Sequence, residues 1–351
     1  MKLNIEYLHD DVFGQTFAMY DKEEMIRFIE PFKIRFERNK LDPYSLFKGK
    51  KCLDAGCGNG RGSIFMAMHG ATEIQSIDIS LTNIESVKRN AEIFGYSHII
   101  NVQQSSLEKI PFDSEAFDFV WCNGVLMHTH SPDACLKELS RVLKIDGKSW
   151  IYVYGAGGIY WYCVYKFREM LQQYSEEQCI SAMKFAQIPV SFLAEYMDDW
   201  KAPYLRTYTN NDFSLRLKEL GFINIDPLTY GTDYDTSHRV NSFKKDALYL
   251  GDGDLRYLLT KKTNDLNDKN SISDSILGSH YDYPATYTKL LDEKLALLKK
   301  EVGESLILKI LTCAYLQRNL RDNIFTTTKS FNLDEFLIYF DNVRKLLKSI
   351  K

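Results

Sequence analysis

Short runs of strand character alternate along this chain with stretches in which apolar residues recur at helical spacing. Strand-like runs occupy 51–54, 73–78, 99–102 and 117–122, and helical patterns fill 61–69 and 81–94. Such alternation predicts an α/β fold built on a parallel, doubly wound sheet. Ser131-Pro132-Asp133 marks a helix start, with a capping serine and a proline in the first turn, and Gly147 ends that unit after Leu143. A fifth strand follows from Ser149 to Tyr154. Gly155 to Gly158 then opens an insertion that is helical in pattern as far as Tyr208, with Pro189 and Pro203 as breaks. An insertion of that length in a compact domain has the character of a lid or binding loop. Helix 210–220 ends at Gly221, strand 222–228 follows it, and 254–261 is the last strand of the sheet.

The flanks are different in kind. Residues 1–48 form a helical lead-in, in which 23–36 places Met25, Ile26, Phe28, Ile29, Phe32, Ile34 and Phe36, with Pro31 breaking or kinking the helix. The α/β domain spans 49–262 and contains the cap insertion, 156–208. Residues 263–351 begin as a polar linker (264–275) and continue as three amphipathic helices at 286–301, 305–317 and 334–349. Their apolar stripes predict internal packing or a homodimer face.

The richest chemistry lies at 51–62, Lys-Cys-Leu-Asp-Ala-Gly-Cys-Gly-Asn-Gly-Arg-Gly. A strand runs into a glycine turn and then a helix. Gly56, Gly58 and Gly60 leave the backbone free to adopt positive φ and let a ligand lie against it. Asp54 ends the strand, where open parallel sheets place their ligands. The turn is G-x-G-x-G, because Arg61 and Ser63 depart from the G-x-G-x-x-G of dinucleotide sites. A carboxylate there opposes a pyrophosphate and favours a cation. S-adenosylmethionine, with its sulfonium and ammonium, meets that requirement. Asp78 ends the second strand about 20 residues further on, the distance at which such folds grip ribose hydroxyls.

Together with Ser105-Ser106-Leu107-Glu108-Lys109-Ile110-Pro111-Phe112, the strand Phe117 to Asn123 and its exit Gly124 to Thr129, these features resemble class I S-adenosylmethionine-dependent methyltransferases. The likeness is to the branch similar to ubiquinone/menaquinone-biosynthesis methyltransferases, good over 45–155 and loose over 209–262. It implies a Rossmann-like, seven-stranded, mostly parallel sheet with a helical cap and a helical C-terminal extension, the strand at 254–261 pairing antiparallel, and S-adenosyl-L-methionine as cofactor. Asp54, Gly56 and Gly58 match the loop for the methionine part, which takes in Cys57, Asn59 and Gly60. Asp78, followed by Ile79, matches the ribose acid. Ser106 and Leu107 match the adenine pair, Ser106 standing where the family usually has Asp or Asn. Asn123 and Gly124 match the strand end beside the methyl group, and His128 matches a histidine common in this branch. Phe13 to Tyr20 then takes the place of the N-terminal cover over the cofactor.

The acceptor side is less constrained. His128 is either a hydrogen-bonded junction residue or a base for an oxygen acceptor. Tyr160 and Trp161 are either cap core or the wall of an aromatic acceptor pocket. The polar run Thr232 to Arg239 is a solvated loop or a substrate loop in which His238 or Arg239 contacts an acidic or hydroxylated acceptor, with His238 a second candidate base.

Composition narrows the acceptor class. A net charge of -3 and a pI near 6.2 leave no basic footprint for nucleic acid. The strand-four exit Asn-Gly-Val-Leu also lacks the Asn/Asp-Pro-Pro-aromatic pattern of base-methylating enzymes. Both favour a small-molecule acceptor, methylated at oxygen, with carbon and nitrogen as the alternatives. Two readings from other classes compete with it: an NAD-dependent dehydrogenase on the same fold, and a non-catalytic cofactor-binding scaffold. Seven cysteines without paired or metal-ligand spacing predict reduced packing residues and no metal. The polar N-terminus and the lack of a bilayer-length apolar stretch make the expected compartment cytoplasmic.

Overall fold

The computed structural model describes residues 10–231, 251–263 and 305–323, together with 275–276, 289, 292–293 and 296. Seven strands form one sheet: β1 (Lys51–Ala55), β2 (Glu73–Asp78), β3 (Ile100–Gln104), β4 (Phe117–Asn123), β5 (Leu143–Tyr154), β6 (Phe222–Ile223) and β7 (Asp254–Lys261). Their order is β3-β2-β1-β4-β5-β7-β6. β1 to β5 run parallel, and β7 lies antiparallel between β5 and β6. The expected antiparallel pairing of 254–261 is present, with β7 inside the sheet and β6 at its edge. The strand order reverses between β1 and β4, and Asp54 sits there opposite Ser76 on one side and Trp121 on the other. A crevice opens beyond the strand ends at such a reversal, which positions the ligand site.

The helices are α1 (Lys22–Arg38), α2 (Pro43–Phe47), α3 (Arg61–Met68), α4 (Leu81–Phe94), α5 (Pro132–Val142), α6 (Ile159–Leu171), α7 (Glu176–Phe185), α8 (Val190–Lys201), α9 (Asn210–Glu219) and α10 (Leu306–Asn323). α1 starts with a capping box between Asp21 and Glu24 and runs through Pro31 without ending. Its buried stripe of Met25, Ile29, Phe32 and Phe36 holds it against the sheet, which outweighs the backbone hydrogen bond that Pro31 removes. Phe36 stacks on Trp150 at 5.3 Å, and Trp150 stacks on Trp121 at 5.0 Å.

Three boundaries differ from the sequence reading. β5 begins at Leu143, so Gly147 lies inside the strand; the register with β4 shifts between Phe117 and Phe119. A side chain at 147 would sit 2.7 Å from Leu143, so the bulge requires glycine there. Ser131 donates no side-chain cap; its backbone N–H instead donates to Glu108 Oε1 at 2.9 Å. β6 stops at Ile223, short of the expected 228.

The cap helices α6 to α8 bury Phe167, Leu171, Met183, Leu193, Met197 and Trp200 in a core of their own. Leu308, Ile310 and Cys313 of α10 and Val12 of the N-terminal segment complete that core. The apolar stripe of α10 is thus used inside the chain. All seven cysteines are buried and unpaired. Among the described residues no helix is long and apolar enough to cross a membrane.

Candidate active site

The glycine loop is built by backbone geometry. Gly56, Gly58 and Gly60 have φ of +75°, +53° and +86°. Gly56 and Cys57 donate their N–H groups to Ile77 O, which ties the loop to the end of β2. A Cβ at Gly56 would lie 2.5 Å from Val125, so no side chain fits without displacing the β4 exit. A Cβ at Gly58 would lie 3.2 Å from the Phe17 ring, which roofs the loop.

Asp78 is the hub of this region. Its Oδ2 accepts from Gly58 N–H at 2.9 Å; its Oδ1 accepts from Ser80 N–H at 2.9 Å and Asn83 Nδ2 at 3.2 Å. Asn59 is buried, and its carbonyl accepts from Asn90 Nδ2 at 2.9 Å. Asn59 Nδ2, Asn83 Oδ1 and Tyr20 Oη are buried without hydrogen-bond partners among the described residues. Buried polar atoms are normally satisfied, and a polar ligand in the cradle supplies what these lack. A nucleoside-bearing cation fits the donor and acceptor set.

Asp54 turns under the first turn of α3 and not into the opening. Its Oδ2 accepts from Ser63 Oγ at 2.6 Å, and Ser63 Oγ lies 2.8 Å from Ser76 Oγ. Burial pushes its carboxyl up to about 6, against hydrogen bonds from Ser63 that hold it down. The folded protein therefore binds a proton that the unfolded chain releases near 4. Stability attributable to Asp54 is intact below that value and falls as pH rises to about 6. A shift of two units corresponds to roughly 3 kcal/mol. Comparing denaturant stability of the native protein and Asp54→Asn between pH 4 and 6.5, we expect their difference to change by about that amount, mostly inside the window. A pH-independent difference would show that the carboxyl is not perturbed.

On the other side of the crevice stands His128, in a single turn of helix after β4 and only 4% exposed. Its Nδ1 lies 2.8 Å from Tyr204 O. A carbonyl only accepts, so Nδ1 carries the proton and Nε2 of the neutral ring carries the lone pair. Nε2 sits 2.9 Å from Asp198 Oδ1 but is misaligned for a hydrogen bond, and both atoms are without one. Phe13 lies 5.1 Å from the imidazole and Tyr154 lies edge-on at 5.7 Å. Tyr154 donates its hydroxyl to Asp198 Oδ2 at 2.7 Å.

The remaining predicted positions divide. Asn123 Oδ1 accepts from Trp150 Nε1 at 3.0 Å, and Gly124 adopts φ +75° beside Tyr152. Ile79 is half-buried at the end of β2. Ser106 is exposed on the neighbouring turn, whereas the Leu107 side chain is buried in the core, leaving only its backbone for a ligand. Trp161 backs Tyr154 at 4.8 Å and donates to Gly155 O. Tyr160 donates to Asp199 Oδ2 at 2.5 Å, and Gln317 of α10 donates to the same oxygen. Both aromatic side chains are thus hydrogen-bonded within the protein. His238 and Arg239 lie outside the described residues. Asp198 was missed from sequence, since an acid near the end of a cap helix gives no signal of the histidine 70 positions earlier that it meets.

Part of this chain is similar to known proteins. The methyltransferase domain family matches residues 53–151. A ubiquinone biosynthesis O-methyltransferase of Coxiella burnetii is 30% identical over 127 residues, 36% of this chain and 51% of that protein. A sarcosine/dimethylglycine N-methyltransferase of Aphanothece halophytica is 30% identical over 99 residues, 28% of this chain and 36% of that one. The chain thus spans about half, or less, of the length of the curated relatives it matches. An S-adenosylmethionine-dependent methyltransferase from Mesorhizobium loti is 19% identical, over 34% of this chain and 51% of that one, with a TM-score of 0.30. Within the α/β domain described above, residues 53–151 are thus similar to the methyltransferase domain family.

Proposed function

We propose that this chain transfers a methyl group from S-adenosylmethionine to an oxygen of a small-molecule acceptor, with His128 as the base. The observation that carries this reading is the buried Nε2 of His128, its lone pair fixed by the hydrogen bond at Nδ1 and left without a donor. When bound, S-adenosylmethionine supplies an electrophilic methyl on a sulfonium. The chain's own part is to hold and align. The loop from Gly56 to Gly60 receives the methionine end, Asp78 receives the ribose hydroxyls, and Ser106 and the Leu107 backbone flank the adenine. Phe13 and Phe17 exclude water from above. Alignment at near-attack distance can supply roughly 7–11 kcal/mol. A hydroxyl seated against Nε2 gives up its proton there as its oxygen gains the methyl.

The oxygen assignment draws support from the name of the Coxiella relative, and the small-molecule assignment from the acidic charge balance. The first test is calorimetry with S-adenosylmethionine and its demethylated product, for which we expect micromolar dissociation constants. Incubation with labelled cofactor and cell extract then identifies the methylated product. Absence of heat and of any thermal shift with both ligands overturns the reading.

A further inference from the structure

We infer that the acceptor carries a protonated amine close to its methylated hydroxyl, seated by the carboxylate of Asp198. This rests on the reading of the space around His128 as the acceptor site. Two bare acceptor atoms, His128 Nε2 and Asp198 Oδ1, face each other at 2.9 Å. With Nδ1 committed to Tyr204 O, the neutral imidazole has no proton to offer Asp198. One hydroxyl supplies a single proton and satisfies one of the two atoms. An ammonium beside that hydroxyl supplies the other, and it also meets the charge. Among the described residues Asp198 has no ion pair with lysine or arginine. Arg168, the guanidinium at this end of α8, gives its hydrogen bonds to the backbone oxygens of Asp199 and Ala202 and reaches Asp198 only through its field.

The surroundings suit a cation. Phe13 and Tyr154 flank the pair, and aromatic faces attract ammonium groups. Tyr154 donates to Asp198 Oδ2, which fixes the carboxylate and directs Oδ1 to the histidine. Hydroxyl and ammonium on adjacent carbons match the short spacing of Nε2 and Oδ1. The ligand class is therefore a small amino alcohol or its alkylated ammonium form.

Ligand-observed NMR titrations with size-matched probes test this: ethanolamine against 1-propanol, and choline against 3,3-dimethylbutan-1-ol. Each is run with and without S-adenosylhomocysteine, so that loss of cofactor binding is read separately from loss of the cation seat. We expect the cation of at least one pair to bind ten-fold or more tighter than its neutral partner. Asp198→Asn should bring the pair within two-fold, while S-adenosylhomocysteine affinity stays unchanged. Equal affinities, binding of neither member, or a preference that survives Asp198→Asn overturns the proposal.

Discussion

Replacing His128 with asparagine is expected to lower turnover by about 10²–10⁴-fold, the range for loss of a general base, while cofactor affinity stays within a few-fold. Asparagine retains polarity and approximate size, but its amide has no basic nitrogen to offer at the position of Nε2. The cofactor cradle is formed by different residues, Gly56 to Gly60 and Asp78, so binding of S-adenosylmethionine should be nearly untouched. The measurement is single-turnover methylation of the acceptor recovered from extract, beside calorimetry with S-adenosylhomocysteine. A variant that melts earlier but turns over normally would assign His128 to packing between Phe13 and Tyr154, with proximity left to carry the chemistry.

Asp78→Ala should weaken cofactor binding by about 1.5–3 kcal/mol, the loss of hydrogen bonds to a charged group. The structure adds a second cost. The N–H groups of Gly58 and Ser80 and the amide of Asn83 would all lose their acceptor, and each orphaned buried donor costs about 1–3 kcal/mol unless water replaces it. Stability should therefore fall along with affinity. Asp78→Asn separates the two effects, since it keeps one acceptor oxygen and turns the other position into a donor. Calorimetry and denaturant melts on both variants decide the matter. Unchanged affinity in both would move the ribose contact elsewhere.

The sheet and cofactor loop were legible because their determinants are local. Strand runs, glycines at 56, 58 and 60 and acids at two strand ends all lie within a few residues of what they shape. The bulge at 143–147 was not, because its form depends on the register with β4. Pro31 marked a break that packing of Phe32 and Phe36 overrides. The cap was visible as an insertion, but its partners were not. Nothing in the spacing of Leu308, Ile310 and Cys313 says that they meet Phe167 and Met183, and nothing local joins Asp198 to His128. Long-range pairings of this kind are decided by topology, which composition does not carry.

The Phe13–Phe17 stretch has a kinetic corollary. One short segment lays Phe17 on the glycine loop and Phe13 on His128, and Val12 beside them is pinned in the core of the cap. Because the same few residues touch both places, access to the glycine loop and access to His128 are coupled: a change that displaces one aromatic ring disturbs the other.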